Sequence, residues 1–103
     1  MRIVLCSSPV DRAESIASTL VEEGHAACVS ATPVQSTYRW EGRLCRDDEV
    51  LLIIKVSAAG VDALRTRLRE LHPYQLPEIL SLPVDSNESF APYVEWVRTS
   101  CRR

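Results

Sequence analysis

The stretch Val50-Leu51-Leu52-Ile53-Ile54-Lys55-Val56 is apolar at every position except Lys55. A strand directs consecutive side chains to opposite faces of its sheet, so this run predicts an interior strand with both faces hidden from water. The ammonium group of Lys55 must then reach the rim of the sheet or meet a carboxylate. The stretch therefore requires cover on each side of its sheet.

A long hairpin leads into this strand. Residues 26–40 read as one strand that alternates after Pro33, and Glu41-Gly42 supplies a two-residue turn toward a second strand at residues 49–57. Pro33 cannot donate to a ladder, so we expect a bend or bulge there and a locally unpaired edge. Strands average about six residues, so the tip of this hairpin should project beyond its parent sheet.

Two more strands complete the predicted sheet. The apolar run from Ile3 to Cys6 has the same two-sided character as the central strand, and residues 79–84 form a short strand in which Pro83 suits an edge or an end. Both runs are shorter than the hairpin strands. Together with the two hairpin strands, they give a predicted sheet of four strands.

Three helices are predicted from apolar residues at helical spacing. They cover about residues 12–23, the segment from Gly60 to His72, and about residues 89–100. Asp11 and Glu14 form a capping-box pattern at the first helix, and Gly24 stands where a left-handed C-terminal residue is wanted. The order of elements is β-α-β-β-α-β-α, which predicts an α+β, ferredoxin-like sandwich with a C-terminal helix, as one domain over residues 1–103.

Such a sandwich leaves one face of its sheet open. The strands at residues 3–6 and 50–54 are apolar in both phases, and the third helix can cover only part of that face. Each Val, Ile or Leu side chain left in water forfeits roughly 1.5 to 3 kcal/mol. We therefore predict an oligomer in which the hairpin adds strands to a neighbour's sheet, with Trp40 and Trp96 as candidate contacts between subunits.

Residues 71–78, Leu-His-Pro-Tyr-Gln-Leu-Pro-Glu, join the second helix to the last strand. The two prolines exclude helix and stiffen the segment, which holds an imidazole, a phenol and a carboxylate in a short span. His72, Tyr74 and Glu78 are therefore candidate functional residues. A structural alternative is that Pro73 ends the helix, Tyr74 packs at the core edge and His72 neutralises the helix dipole.

The charge balance and the cysteines limit the possible partners and compartment. The net charge is −2 and 25% of the residues are charged, which points to neither nucleic acid nor a membrane as partner. The N-terminal apolar run is too short for a secretory signal or a membrane span, so we expect a cytoplasmic protein. Four cysteines without zinc-site spacing are expected to be reduced thiols: Cys6, Cys28, Cys45 and Cys101.

The motif YRWEG at residues 38–42, followed by HPYQLPE at residues 72–78, resembles the CutA divalent-cation-tolerance family. VLCSSP at residues 4–9 and AACV at residues 26–29 match the same family in order and spacing, and the match covers about residues 3–98. The resemblance implies a ferredoxin-like homotrimer whose hairpins extend sheets between subunits, and from the residues themselves we expect no enzymatic activity. It also implies a role in tolerance of copper and other divalent cations, with Cys6 and His72 at positions implicated in metal binding.

Thiolate and imidazole are suitable ligands for copper, and thiolate favours Cu(I). Binding would need Cys6 deprotonated and His72 neutral at the contacting nitrogen. Two ligands make a weak site, so Cys28, Glu78 or residues from a neighbouring subunit would have to join them.

Other functions remain open at this level. A pocket at the subunit boundary could bind a small anionic molecule through Lys55, Arg39 and Tyr74, with Glu78 as the partner of Lys55, as in a PII-like signalling trimer. A hydrolase is disfavoured because His72 has no neighbouring nucleophile in sequence and G-x-S-x-G is missing. A structural trimer that scaffolds another protein is the third alternative.

Overall fold

One antiparallel sheet with the strand order β2-β3-β1-β4 organises the chain, and the computed structural model describes residues 1–102. The elements are β1 (Arg2–Pro9), α1 (Ala13–Glu22), β2 (Cys28–Trp40), β3 (Arg43–Val56), α2 (Val61–Leu71), β4 (Leu80–Pro83) and α3 (Ala91–Ser100), with a 3-10 turn at Ala58–Gly60. The predicted α+β, ferredoxin-like fold is confirmed. Within residues 1–102, no helix combines the length and the apolarity needed to span a membrane.

The hydrophobic core lies between α1, α2 and one face of the sheet. Even-numbered residues of β1 and β3 point to these helices, because the strands pair in the register Val4↔Ile54 and Cys6↔Leu52. The largest fully buried core side chains are Val4, Cys6, Ile16, Leu20, Leu52, Ile54, Val56, Leu64 and Leu68. Arg67 of α2 also donates to both carboxylate oxygens of Glu23, at 2.8 and 2.9 Å, and so ties the two helices together.

The opposite face of the sheet, called here the open face, is apolar and partly exposed. Its side chains come from the odd-numbered positions of β1 and β3 and from β4: Ile3, Leu5, Leu51, Ile53, Lys55, Leu80 and Leu82. Leu80 is 53% exposed and Leu82 46%. Helix α3 covers only the part near Cys28, where burial and then the neighbouring Cys28 thiol raise the pKa of Tyr93. The sheet is therefore apolar on both faces, as the sequence predicted.

Strands β2 and β3 form a hairpin in unbroken register from Cys28↔Lys55 to Trp40↔Arg43. Strand β1 contacts β3 only as far as the pair Pro9↔Glu49, so the arm beyond Glu49 projects from the sheet, as predicted. The predicted start of the second hairpin strand at residue 49 is wrong, because β3 begins at Arg43 and pairs with β2 along the whole arm. The molecule measures 44 Å along its longest axis.

A bulge at Pro33, one of the two predicted distortions, is excluded by the pairing. Pro33 pairs with Val50 without any shift of register. Strand β2 lies at the edge of the sheet, the position where a strand tolerates proline because one of its sides makes no ladder bonds. Its placement on an unpaired edge is confirmed within this chain.

Of the two sequence predictions for the ends of α1, one is wrong and one is confirmed. The Asp11–Glu14 capping box is wrong, because Arg12 occupies the cap position and no side chain caps the helix there. A tight turn, in which the Arg12 amide donates to the Pro9 carbonyl at 3.1 Å, moves the cap one residue beyond Asp11. Gly24 adopts the predicted left-handed conformation, with φ of 78°.

The hairpin turn offers a direct test of backbone strain. Glu41 and Gly42 have φ of 50° and 78°, the geometry in which Asn-Gly is favoured and glutamate is not. We expect Glu41→Asn to raise the free energy of unfolding by about 0.5 kcal/mol and Gly42→Ala to lower it by about 1 kcal/mol. Urea denaturation at fixed protein concentration measures both. The two variants must change the free energy of unfolding in opposite directions. A stabilising Gly42→Ala would contradict the left-handed backbone conformation at the turn.

Candidate functional site

The segment after α2 turns back along the end of β1. The amide of His72 donates the last helical bond, to the carbonyl of Leu68 at 2.9 Å. His72 itself is extended, with φ of −80° and ψ of 132°, as expected for a residue that precedes proline. The predicted helix end is confirmed, and the loop that follows lies against the carboxyl end of β1.

His72 is buried and both of its ring nitrogens have partners. Nε2 lies 2.7 Å from the carbonyl oxygen of Ser7, and the amide of Tyr74 donates to Nδ1 at 3.2 Å. Since Nδ1 accepts a hydrogen bond, the proton of the neutral ring is on Nε2 and is donated to Ser7. The rings of His72 and Tyr74 are 4.8 Å apart between centroids. His72 therefore fastens the loop to β1.

Tyr74 connects the same loop to β3. Its hydroxyl donates to Oε2 of Glu49 at 2.8 Å, and Glu49 is only 6% exposed. Burial is the main cause that raises the pKa of Tyr74 well above its usual range, followed by the hydrogen bond to Glu49 and the charge of that carboxylate. The phenol therefore stays protonated and acts as a donor to a buried carboxylate.

Glu78 attaches the far end of the same loop to β1. Its Oε2 accepts a hydrogen bond from the hydroxyl of Ser7 at 3.1 Å. Ser7, Glu49, His72, Tyr74 and Glu78 thus meet at one end of the sheet, and we call them the loop cluster. The sequence correctly selected His72, Tyr74 and Glu78 as neighbours in a stiff segment, but it missed Ser7 and Glu49. A carboxylate at the head of an apolar strand was the available signal for Glu49.

Cys6 lies next to the loop cluster but on the core side of the sheet. Its side chain is fully buried. Burial, followed by the charges of Glu78 and then Glu49, raises the pKa of Cys6 to about 12. The thiol is therefore protonated at neutral pH, and it contacts the carbonyl oxygen of Ser7 at 3.8 Å.

This arrangement does not form a metal site within one chain. Among residues 1–102, no three His, Cys, Asp or Glu side chains are grouped so that they could hold a metal ion. Cys6 carries its proton, and both nitrogens of His72 already have hydrogen-bond partners. Any ion bound here would require these residues to exchange partners or a second chain to supply ligands.

Lys55 lies away from the loop cluster. It is on the open face, where its ammonium donates to the hydroxyl of Ser30 at 2.6 Å. Lys55 pairs with Ile3 on β1, whereas Glu78 binds Ser7, and four residues of a strand span roughly 13 Å. The expected Lys55–Glu78 pair is therefore not formed within the chain, because the two groups lie at different heights on the sheet.

Arg39 is also remote from the loop cluster. It pairs with Leu44 near the tip of the hairpin, beyond the end of β1. Its side chain is exposed. Within one chain, therefore, only Tyr74 and Glu78 of the proposed anion-binding residues come together.

The family model described as CutA1 divalent ion tolerance protein matches residues 2–100. The chain belongs to the CutA1 family. A relative from Thermus thermophilus, the divalent-cation tolerance protein CutA, is 41% identical in an alignment of 98 residues that covers 93% of each chain. The CutA1 resemblance stated from the sequence motifs is thereby confirmed.

Solved CutA structures share the whole fold of this CutA1-family chain. The PII-like protein CutA from Nostoc sp. PCC 7120 in apo form superposes with a TM-score of 0.97, at 43% identity, over 99% of this chain and 98% of its own. A periplasmic divalent cation tolerance protein CutA from Archaeoglobus fulgidus gives a TM-score of 0.92, at 26% identity, over 99% and 100%. The fold is thus that of PII-like CutA proteins.

Proposed function

We propose that this CutA1-family protein acts in divalent-cation tolerance as a homotrimer that binds copper or another divalent metal ion through Cys6 and His72. The observation that carries the proposal is the convergence on β1. His72 and Glu78 both contact Ser7, the residue next to Cys6, and the charges of Glu78 and Glu49 act on the Cys6 thiol. Sulfur, imidazole and carboxylate donors therefore lie around the same end of β1, with Cys6 on the core side of the sheet.

Binding requires two local changes in the protein. Cys6 must lose its proton, and His72 must release either the Ser7 carbonyl or the Tyr74 amide to free one ring nitrogen. Glu78, or a residue of a neighbouring subunit, is the third donor. A thiolate and an imidazole favour copper over the hard divalent ions, and the cost of both changes makes the site a weak one.

The proton on Cys6 determines the expected pH dependence. Because the pKa of Cys6 is raised to about 12, coordination by its thiolate releases one proton at any pH near neutrality. We expect the apparent copper affinity to rise about tenfold for each pH unit between about pH 6 and pH 8. Equilibrium dialysis of the wild-type protein in reducing buffer measures the copper affinity, and light scattering measures the solution mass and so tests the trimer.

Variants then separate the site from adventitious binding. Cys6→Ala and His72→Ala are expected to lose the retained copper, whereas Cys45→Ala, a thiol on the hairpin arm, retains it. A pH-independent affinity, or unchanged binding in both site variants, would remove these residues from the metal site. A trimer that retains no copper would leave the assembly proposal standing without the metal role.

The open face supports the trimer. Large apolar side chains from three strands remain partly exposed there, and each gains roughly 1.5 to 3 kcal/mol when it is covered. Both outer strands of the sheet, β2 and β4, also present unpaired edges in the single chain. Copies of the chain arranged around an axis would cover the faces and the edges together.

A second candidate function is binding of a small anionic ligand at the subunit boundary, through Lys55, Arg39, Tyr74 and Glu78. The PII-like description of the Nostoc relative favours it, and so does the separation of Lys55 from Tyr74 and Glu78 within one chain. Only a boundary between copies would bring these groups together. The test is a thermal-shift screen of anionic metabolites, in which a stabilising compound must lose its effect in Lys55→Ala.

We further propose a cytoplasmic location, supported by four cysteines that are all free thiols. The Archaeoglobus relative is described as periplasmic, so the two compartments are a real choice for this family. Cell fractionation followed by thiol alkylation distinguishes them. Recovery in a periplasmic extract would overturn the proposed location.

A further inference from the structure

Glu49 is a buried carboxylate, and within residues 1–102 its one hydrogen-bond partner is neutral. It is 6% exposed, and it accepts a hydrogen bond from the hydroxyl of Tyr74. Among residues 1–102, no Lys, Arg or His side chain lies within ion-pair distance of it. A buried charge without an opposite charge is costly, so this site is electrostatically incomplete in the single chain.

Lys55 is the corresponding positive charge without an opposite charge. It is the only lysine of the protein, and it lies on the open face beside Ile3 of β1. Its ammonium group donates to the hydroxyl of Ser30, which is also neutral. Covering the open face with protein would bury this ammonium group, which then needs a carboxylate.

The two groups cannot satisfy each other within one subunit. Glu49 and Lys55 lie on the same face of β3, six residues apart, and a strand of that length spans roughly 20 Å. They occupy opposite ends of the surface that self-association would cover. A head-to-tail contact between copies places one end of this surface against the other end of its neighbour.

We propose that Lys55 of one subunit pairs with Glu49 of the neighbouring subunit, beside the hydroxyl of Tyr74, and so completes the loop cluster at each interface. The proposal rests on the self-association part of the proposed function and is independent of metal binding. Charge complementarity favours this occupant: the charge of Asp47 acts with that of Glu49 on Tyr74, and the charge of Glu78 acts with that of Glu49 on Cys6, so this acidic end of the surface attracts a cation. Lys55 is the cation in the apolar part of the open face.

Charge reversal with subunit mixing tests the pair. In EDTA, Lys55→Glu places two carboxylates at each interface and Glu49→Lys places two ammonium groups there, so each variant alone is expected to raise the trimer dissociation constant by more than about tenfold. An equimolar mixture is expected to recover trimers by light scattering and native mass spectrometry, because most of the interfaces in a mixed trimer unite opposite charges. The double variant Lys55→Glu with Glu49→Lys should recover them as well.

The outcomes separate this inference from the broader proposal. A monomeric wild-type protein would overturn self-association itself, whereas a wild-type trimer with no change in either variant would overturn only the pair. Loss of assembly in both variants without recovery on mixing also overturns it. Circular dichroism checks that each variant is folded. If a charge-reversed variant is unfolded, the neutral variants Lys55→Met and Glu49→Gln replace it. The trimer dissociation constant must then rise in each neutral variant and must not rise further in the double variant.

Discussion

Ile53→Glu is expected to convert the proposed trimer into folded monomers. Ile53 lies in the centre of the open face, between Leu5 of β1 and Ser30 of β2. A glutamate there stays solvated in a monomer, but it would be buried without a partner once another copy covered the face. Light scattering should report the monomer mass at micromolar concentration, while circular dichroism keeps the wild-type signature.

The matched control places the same charge on the other side of the molecule. Val21 of α1 is 40% exposed and does not belong to the open face. Val21→Glu should therefore keep the wild-type mass. Persistence of the trimer in Ile53→Glu would show that the open face is not the assembly surface, and the cover for its apolar side chains would have to be sought elsewhere.

Leu52→Ala should cause the largest loss of stability among single truncations of β3. Leu52 is fully buried between the sheet and the helices, where it pairs with Cys6 and Ala31 on the adjacent strands. Removing its isobutyl group forfeits transfer energy and leaves a cavity, which together cost about 2 to 5 kcal/mol of the free energy of unfolding. Urea denaturation at fixed protein concentration measures the loss.

Leu44→Ala provides the control within the same strand. Leu44 has the same side chain but is 67% exposed on the hairpin arm. We expect a change within about 0.5 kcal/mol. Equal effects at the two positions would contradict the division of β3 into a core half and a projecting half.

The alternation of apolar residues determined most of the fold. The runs at residues 3–6 and 50–56 indicated strands covered on two sides, and both strands are apolar on their two faces. Spacing located all three helices, and Gly24 and Pro73 marked where two of them end. These signals are local, because they depend only on which side chains lie next to each other along the chain.

Two local sequence signals, a capping pattern and a proline, did not determine the backbone conformation at their positions. Asp11 and Glu14 have the right spacing for a capping box, yet the turn between Pro9 and Arg12 sets the start of α1. Pro33 cannot donate to a ladder, but its position on an edge strand removes the need for a bulge. In each case the neighbouring elements decided between two conformations that the local sequence allowed.

The sequence by itself determined the order of the elements, the two apolar faces of the sheet and the chemical groups held by the stiff loop. Only the tertiary structure decided their partners: Tyr74 with Glu49, Glu78 with Ser7, and Lys55 with Ser30. These partners are separated by 25, 71 and 25 residues along the chain, respectively. Periodicity specifies the face on which a side chain lies, whereas strand register and loop packing determine which distant side chain it meets.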